Sequence, residues 1–187
     1  AFSDGVLAII ITIMVLELTV PHGDTAAALP ALLPVFLSYV LSFVYVGIYW
    51  NNHHHLLHAA RRISGGVLWA NLHWLFWLSL CPFVTGWMGE NHFAPLPTAL
   101  YGFVLLMAAI GYWVLQRALI ASEGADSLLA QAIGKDFKGN VSLAIYAAAM
   151  PVAFWNQWIS ATGYVLVALM WLIPDQRIEK KLTARED

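Results

Sequence analysis

Charged and polar side chains are scarce in this chain, and those that interrupt its apolar runs are the candidates for chemistry. Four histidines, His53, His54, His55 and His58, crowd into one short stretch. His54 and His58 stand four apart on one helical face, a spacing that can hold zinc. No Glu completes a His-Glu-x-x-His pattern and no Cys lies close by, so no metal site is expected. The cluster reads as interfacial structure, with a pH-responsive role as the alternative. Two carboxylates, Asp4 and Glu17, mark the ends of the first apolar run. Asp4 sits at a helix start, where the dipole favours a negative charge, and fits a cap or a structural hydrogen-bond partner. Glu17 fits a snorkelling surface acid or a group that concentrates cations at a mouth. No nucleophile elbow, phosphate-cradling loop or paired carboxylates occur, so neither an enzyme nor a cofactor is expected.

These groups hang on a first helix that is apolar on nearly every side. After Phe2-Ser3-Asp4-Gly5, the run from Val6 to Leu16 is interrupted only by the hydroxyl of Thr12. At about 100° per residue, Ile9, Ile13 and Leu16 stack at successive turns with Thr12 at the edge of their face. Branched aliphatics at helical spacing ordinarily form a core. The functional alternative is that copies of this face meet around an axis and make a hydrophobic constriction.

Composition places the whole chain in a bilayer. Of 187 residues, 60% are hydrophobic and 11% charged, against about 25% charged in soluble domains. The lone Cys81 lies in an apolar stretch and reads as a small hydrophobe. With a net charge of −2 and no basic patch, nucleic acid is not an expected partner.

Six segments approach the ~20 residues a crossing needs: 3–20, 29–50, 66–87, 96–119, 140–155 and 158–174. Breakers mark the joints at Pro21 with Gly23, Pro30, Gly65-Gly66, Pro95 with Pro97, and Pro174. Asn156 and Gln157 alone separate the last two segments, which predicts an antiparallel hairpin. Arg61, Arg62, Arg117, Lys135, Lys138, Arg177, Lys180, Lys181 and Arg185 all fall at or after the ends of even-numbered segments. The positive-inside rule then puts both termini in the cytoplasm. The expected fold is all-α: a polytopic six-helix membrane domain over residues 1–174 and a short polar cytoplasmic tail over 175–187, in the cell (inner) membrane.

The Phe2-Ser3-Asp4 opening, with Ile9 five residues past the Asp, resembles the transmembrane-protein-175 family of potassium channels. So do Trp50-Asn51-Asn52-His53-His54, like that family's Trp-x-x-His stretch, and the run Asn71-Leu72 … Leu75-Phe76 … Ser79-Leu80-Cys81-Pro82-Phe83-Val84-Thr85. The order and spacing of these motifs carry the match over nearly the whole chain. The family's motif also has an Arg four residues ahead of the Phe, a position this sequence does not reach. Its partners would lie around Asp4, Trp50 and His54.

The resemblance implies a single six-span repeat of the prokaryotic, tetrameric kind. It also implies that the first helix lines the pore, with Ile9 at the narrowest ring, Ile13 and Leu16 in the next layers and Thr12 at a nearby polar position. Phe2, Ser3, Asp4, Trp50, His54 and Asn71 would form the supporting motif network, and Glu17 the mouth. Thr162-Gly163-Tyr164 looks like part of a carbonyl filter, but no pore helix and re-entrant loop surround it. The expectation is a homotetrameric cation channel with modest potassium selectivity, its partners being potassium and other monovalent cations, copies of itself and lipid. A secondary transporter or proton-coupled carrier is the alternative, though it would call for inverted repeats and broken helices.

Overall fold

The first helix, α1 (Phe2–Leu16), buries Ser3, Leu7, Ile10 and Met14, positions three or four apart that share one face. The structure is a computed structural model and describes residues 1–21, 25–124, 127, 130 and 136–172. α1 stops short of the expected Val20. It closes with Glu17 donating its backbone N–H to the Met14 carbonyl at 3.3 Å and Leu18 donating to that of Val15 at 3.1 Å. Beyond it the β-branched Thr19 and Val20 lead into Pro21, which disfavours helix in the residue before it. At 1.5 Å per residue the helix is about 22 Å long, less than a ~30 Å hydrocarbon core.

A 3₁₀ turn (Ala26–Leu32) leads into α2 (Leu33–Ala59). Pro34 lies in the first turn of α2, where its missing N–H costs nothing. α2 continues nine residues past the expected end at Trp50, so His53, His54, His55 and His58 ride on the helix itself. The expected third segment is two helices, α3 (Gly65–Ser79) and α4 (Cys81–Glu90), joined at Leu80. Pro82 is the reason: it cannot donate to the carbonyl four residues back. α3 starts on the Ser64 side chain, which accepts from Val67 N–H at 3.4 Å.

α5 (Pro95–Glu123) is the central helix, packed against α3, α4 and the last two helices, α6 (Phe137–Val152) and α7 (Gln157–Leu172). The turn before α5 places His92 and Phe93 in left-handed backbone, with φ of 53° and 59°. The Phe93 ring, buried 5.5 Å from that of Trp158, holds that turn down. α6 begins at Phe137 rather than Asn140 because Asp136 caps it, accepting from Gly139 N–H at 3.0 Å. α6 and α7 pack on each other across the short link through Asn156, whose Oδ1 accepts from Trp158 N–H at 3.0 Å.

Leu29–Ala59, Gly65–Glu90 and Pro95–Glu123 are long and apolar enough to cross a membrane, while Phe2–Leu16 and Gln157–Leu172 are apolar but shorter. Several polar side chains bond across helix boundaries, as a lipid setting favours, while among the described residues the buried Trp74 Nε1 has no partner. Ser42 meets Thr85 at 2.7 Å and Tyr101 at 3.0 Å, joining α2, α4 and α5. Ser160 donates to the Ala149 carbonyl at 2.7 Å, joining α7 to α6. Lys135, Pro174 and the tail 175–187, with Arg177, Lys180, Lys181 and Arg185, lie outside the described residues.

Candidate functional site

α1 lies across α2, α3 and α4 with one face inward and the other uncovered. On the uncovered face, Ile9, Ile13 and Leu16 are 58%, 43% and 77% exposed. They form an apolar stripe along the helix, and Val20 beyond its end is exposed as well. Thr12 lies on the same face, its hydroxyl folded back to donate to the Ile9 carbonyl at 2.9 Å. That bond satisfies the hydroxyl hydrogen and leaves oxygen lone pairs on the exposed side. Phe2 is exposed at the start of the helix.

The inward face is held by a polar chain through three helices. Asn71 of α3 donates its Nδ2 to Ser3 Oγ of α1 at 2.9 Å, and its Oδ1 lies 2.9 Å from His53 Nε2 of α2. The amide oxygen can only accept, so His53 carries its proton on Nε2. Both Ser3 and His53 are buried. His53 stacks on Trp74, ring centroids 4.6 Å apart and 17° from parallel. Beside this chain, Trp50 Nε1 donates to Asp4 Oδ1 at 3.2 Å, tying α2 to the start of α1.

The network expected at His54 runs through its neighbour His53, which is also the His that falls at the Trp-x-x-His spacing from Trp50, with Trp74 stacked beside it. A signal was available: His53 continues the buried series Ser38, Ser42, Tyr45, Val46 and Leu56 of α2 at helical spacing. His54 stands outside the hydrogen-bonded chain, exposed, 6.1 Å from the Trp50 ring and stacked 5.5 Å from His58. Among the described residues no group of three or more His, Cys, Asp or Glu is placed to hold a metal. Glu17 turns away from the exposed stripe: its carboxylate lies against Gly86 of α4, where any side chain at 86 would strike it.

The Thr162-Gly163-Tyr164 triplet is continuous helix within α7. Tyr164 is buried, its carbonyl accepts from Tyr45 Oη at 2.6 Å, and its own hydroxyl donates to the Thr98 carbonyl at 3.1 Å. No carbonyl ring for an ion can come from a backbone engaged in this way.

Long apolar helices whose interior polar groups bond across helix boundaries define an α-helical membrane protein. The family described as endosomal/lysosomal potassium channel TMEM175 matches residues 1–82. A protein of Chryseobacterium sp. (strain P1-3), named as a potassium channel, is 55% identical over 182 residues, 97% of this chain and 95% of that one. A Chamaesiphon minutus protein, described as a lysosomal potassium-selective channel TMEM175 homolog, has a crystal structure that matches with a TM-score of 0.80. That match has 26% identity and covers 93% of this chain and 94% of that one. The endosomal/lysosomal proton channel TMEM175 of Homo sapiens is 40% identical over 76 residues, 34% of this chain and 15% of that one. The chain belongs to the TMEM175 family, as a prokaryotic member of a family of ion channels rather than enzymes.

Proposed function

We propose that this chain forms a potassium-permeable cation channel in which four copies of α1 surround a shared axis. The exposed stripe of Ile9, Ile13 and Leu16 carries this assignment: apolar side chains aligned on one face, opposite a face locked by buried contacts. Brought together by cyclic symmetry, four such faces make a narrow neck of methyl groups, with Ile9 as its tightest ring. Thr12 supplies the one hydroxyl ring of that neck. Ser3, Asn71 and His53, with Asp4, Trp50, Phe2 and His54 around them, hold the angle at which α1 enters. Glu17 lies at the far end of this face, its carboxylate turned onto Gly86 of α4, so any charge it lends the mouth acts from behind the stripe.

An aliphatic neck offers a passing ion no substitute for lost water. The larger, weakly hydrated cations lose least there, so selectivity follows ease of dehydration and is modest. The membrane domain of residues 1–174 crosses six times, with short tail and termini in the cytoplasm of a cell whose inner membrane holds the protein. Basic residues on the loops after even-numbered crossings support this topology.

The experiment is single-channel recording of purified protein in a planar bilayer, with mass measurement in mild detergent. Expected are discrete openings, a mass near four times 20.7 kDa, and permeability in the order caesium and rubidium at least equal to potassium, with sodium lower. A sodium preference, or flux without discrete openings, overturns the assignment; flux of the latter kind belongs to a carrier. The protein of Homo sapiens named as a proton channel is 40% identical over 34% of this chain, and that observation favours proton permeation as the second reading. Reversal potentials that track the pH gradient instead of the potassium gradient would establish it.

A further inference from the structure

Away from α1, the four helices α2, α5, α6 and α7 leave a cavity inside the chain. About 40 Å³ of it is open to water centres, room for about three waters. Tyr49, Tyr112, Trp113, Tyr146 and Trp171 are among its fourteen lining residues, and Asp136 is the one carboxylate on it. Gln116 and Asn52 bring amides to the same space. Gln116 and Tyr112 are each 9% exposed and both line this space. Polar side chains that line a cavity give a guest or water something to bond.

Electron-rich ring faces around a single carboxylate are the chemistry that holds an alkylated ammonium. Two rings of the wall already draw cations of the chain itself. The Arg117 guanidinium lies 5.3 Å from the centre of the Trp113 ring, and Lys138 Nζ lies 5.7 Å from that of Trp171. Arg117 is exposed and Lys138 donates to the Met170 carbonyl at 3.2 Å, so both are held at the edge. Tyr49, Tyr112 and Tyr146 carry no such cation among the described residues.

We propose that this cavity is a binding site for a small alkylammonium ion, with Asp136 as its counter-ion and the tyrosine faces as its walls. The site lies within one chain and does not depend on conduction or on assembly around an axis. The ammonium arrives free or on a phospholipid headgroup, and the shared chemistry is the methylated nitrogen.

Isothermal titration of the full chain in mild detergent with tetramethylammonium tests this, with tert-butanol as an uncharged guest of similar shape. Saturable binding of tetramethylammonium, one per chain, is expected, and none of tert-butanol. Asp136→Asn keeps the helix cap, since Asn caps as well as Asp, and removes the charge; it should weaken binding about tenfold. Tyr112→Leu should weaken it about fivefold and Tyr112→Phe less than about twofold, because the ring face rather than the hydroxyl makes the contact. Competition by dihexanoylphosphatidylcholine assigns the ion to a headgroup, and lack of competition assigns it to a free amine. Absence of saturable binding, equal binding of tert-butanol, or an Asp136→Asn protein as tight as the parent would each overturn the proposal and leave a cavity for water.

Discussion

Ile9 and Ile10 are consecutive in the chain and point about 100° apart: Ile9 is 58% exposed, while Ile10 is 3% exposed and packs into the core. The pair therefore separates what α1 does outward from what holds it in place. Ile9→Asn puts an amide on the uncovered face, so the fold should survive, conductance should rise and discrimination between potassium and sodium should shrink. Ile10→Asn buries an amide without a partner, at a cost of about 2–4 kcal/mol, and should lower thermal stability in detergent. A stable Ile10→Asn protein beside an unchanged Ile9→Asn conductance would show that the other face of α1 does the work.

Asn71 serves two partners, Ser3 and His53, on two different helices. Asn71→Leu leaves both without it and should cost about 2–4 kcal/mol, whereas Ser3→Ala removes one bond and should cost about 1 kcal/mol. In the double variant the Ser3 change should add almost nothing, a coupling that a double-mutant cycle in thermal denaturation measures.

Gly89 and Gly47 make opposite tests of close packing. A side chain at Gly89 would run into the backbone of Val35 and the hydroxyl of Ser38, where α4 crosses α2. Gly89→Ala should destabilise by about 1–3 kcal/mol. At Gly47 nothing lies within 4 Å, so Gly47→Ala should be neutral or stabilise by up to about 1 kcal/mol through its helix preference.

Cys81 is the only cysteine and is buried at the start of α4. The folded protein should resist a maleimide dye and react with one equivalent once heated past its transition. Rapid labelling of folded protein would mean that α4 opens locally around the Leu80 joint.

Much of the helical layout was legible because apolar runs and breakers are one-dimensional signals. The division of α1 into an outward Ile9, Ile13 and Leu16 and an inward Leu7, Ile10 and Met14 follows from angle alone. Helix ends were harder to read, because caps and local backbone chemistry set them: Asp136 pulls α6 forward to Phe137, and Pro21 ends α1 early. Pro82 was visible in the sequence, but a proline within an apolar stretch is compatible with either a kink or a break. Adjacent histidines were the least legible. His53 and His54 differ only in which way they point, and a partner on another helix, Asn71, distinguishes them. Whether a bare face meets lipid, water or another copy depends on what lies outside the single chain, which neither pattern nor burial within that chain encodes.

Tyr164 is a bolt through three helices. Its ring reaches past Gly102, which has no side chain to obstruct it, to the Thr98 carbonyl of α5, while its backbone oxygen takes the Tyr45 hydroxyl of α2. Rotating α7 by one residue, about 100°, or sliding it by one rise of about 1.5 Å, gives up both bonds together. The helices α2, α5 and α7 therefore share a single register and move, if at all, as one block. α1 is absent from that bolt, and its own polar ties run to α2 and α3 at its first turn. The molecule is thus a bolted frame to which α1 is tied by cross-helix side-chain hydrogen bonds only at Ser3 and Asp4, the rest of the helix to Leu16 lying on it by apolar contact.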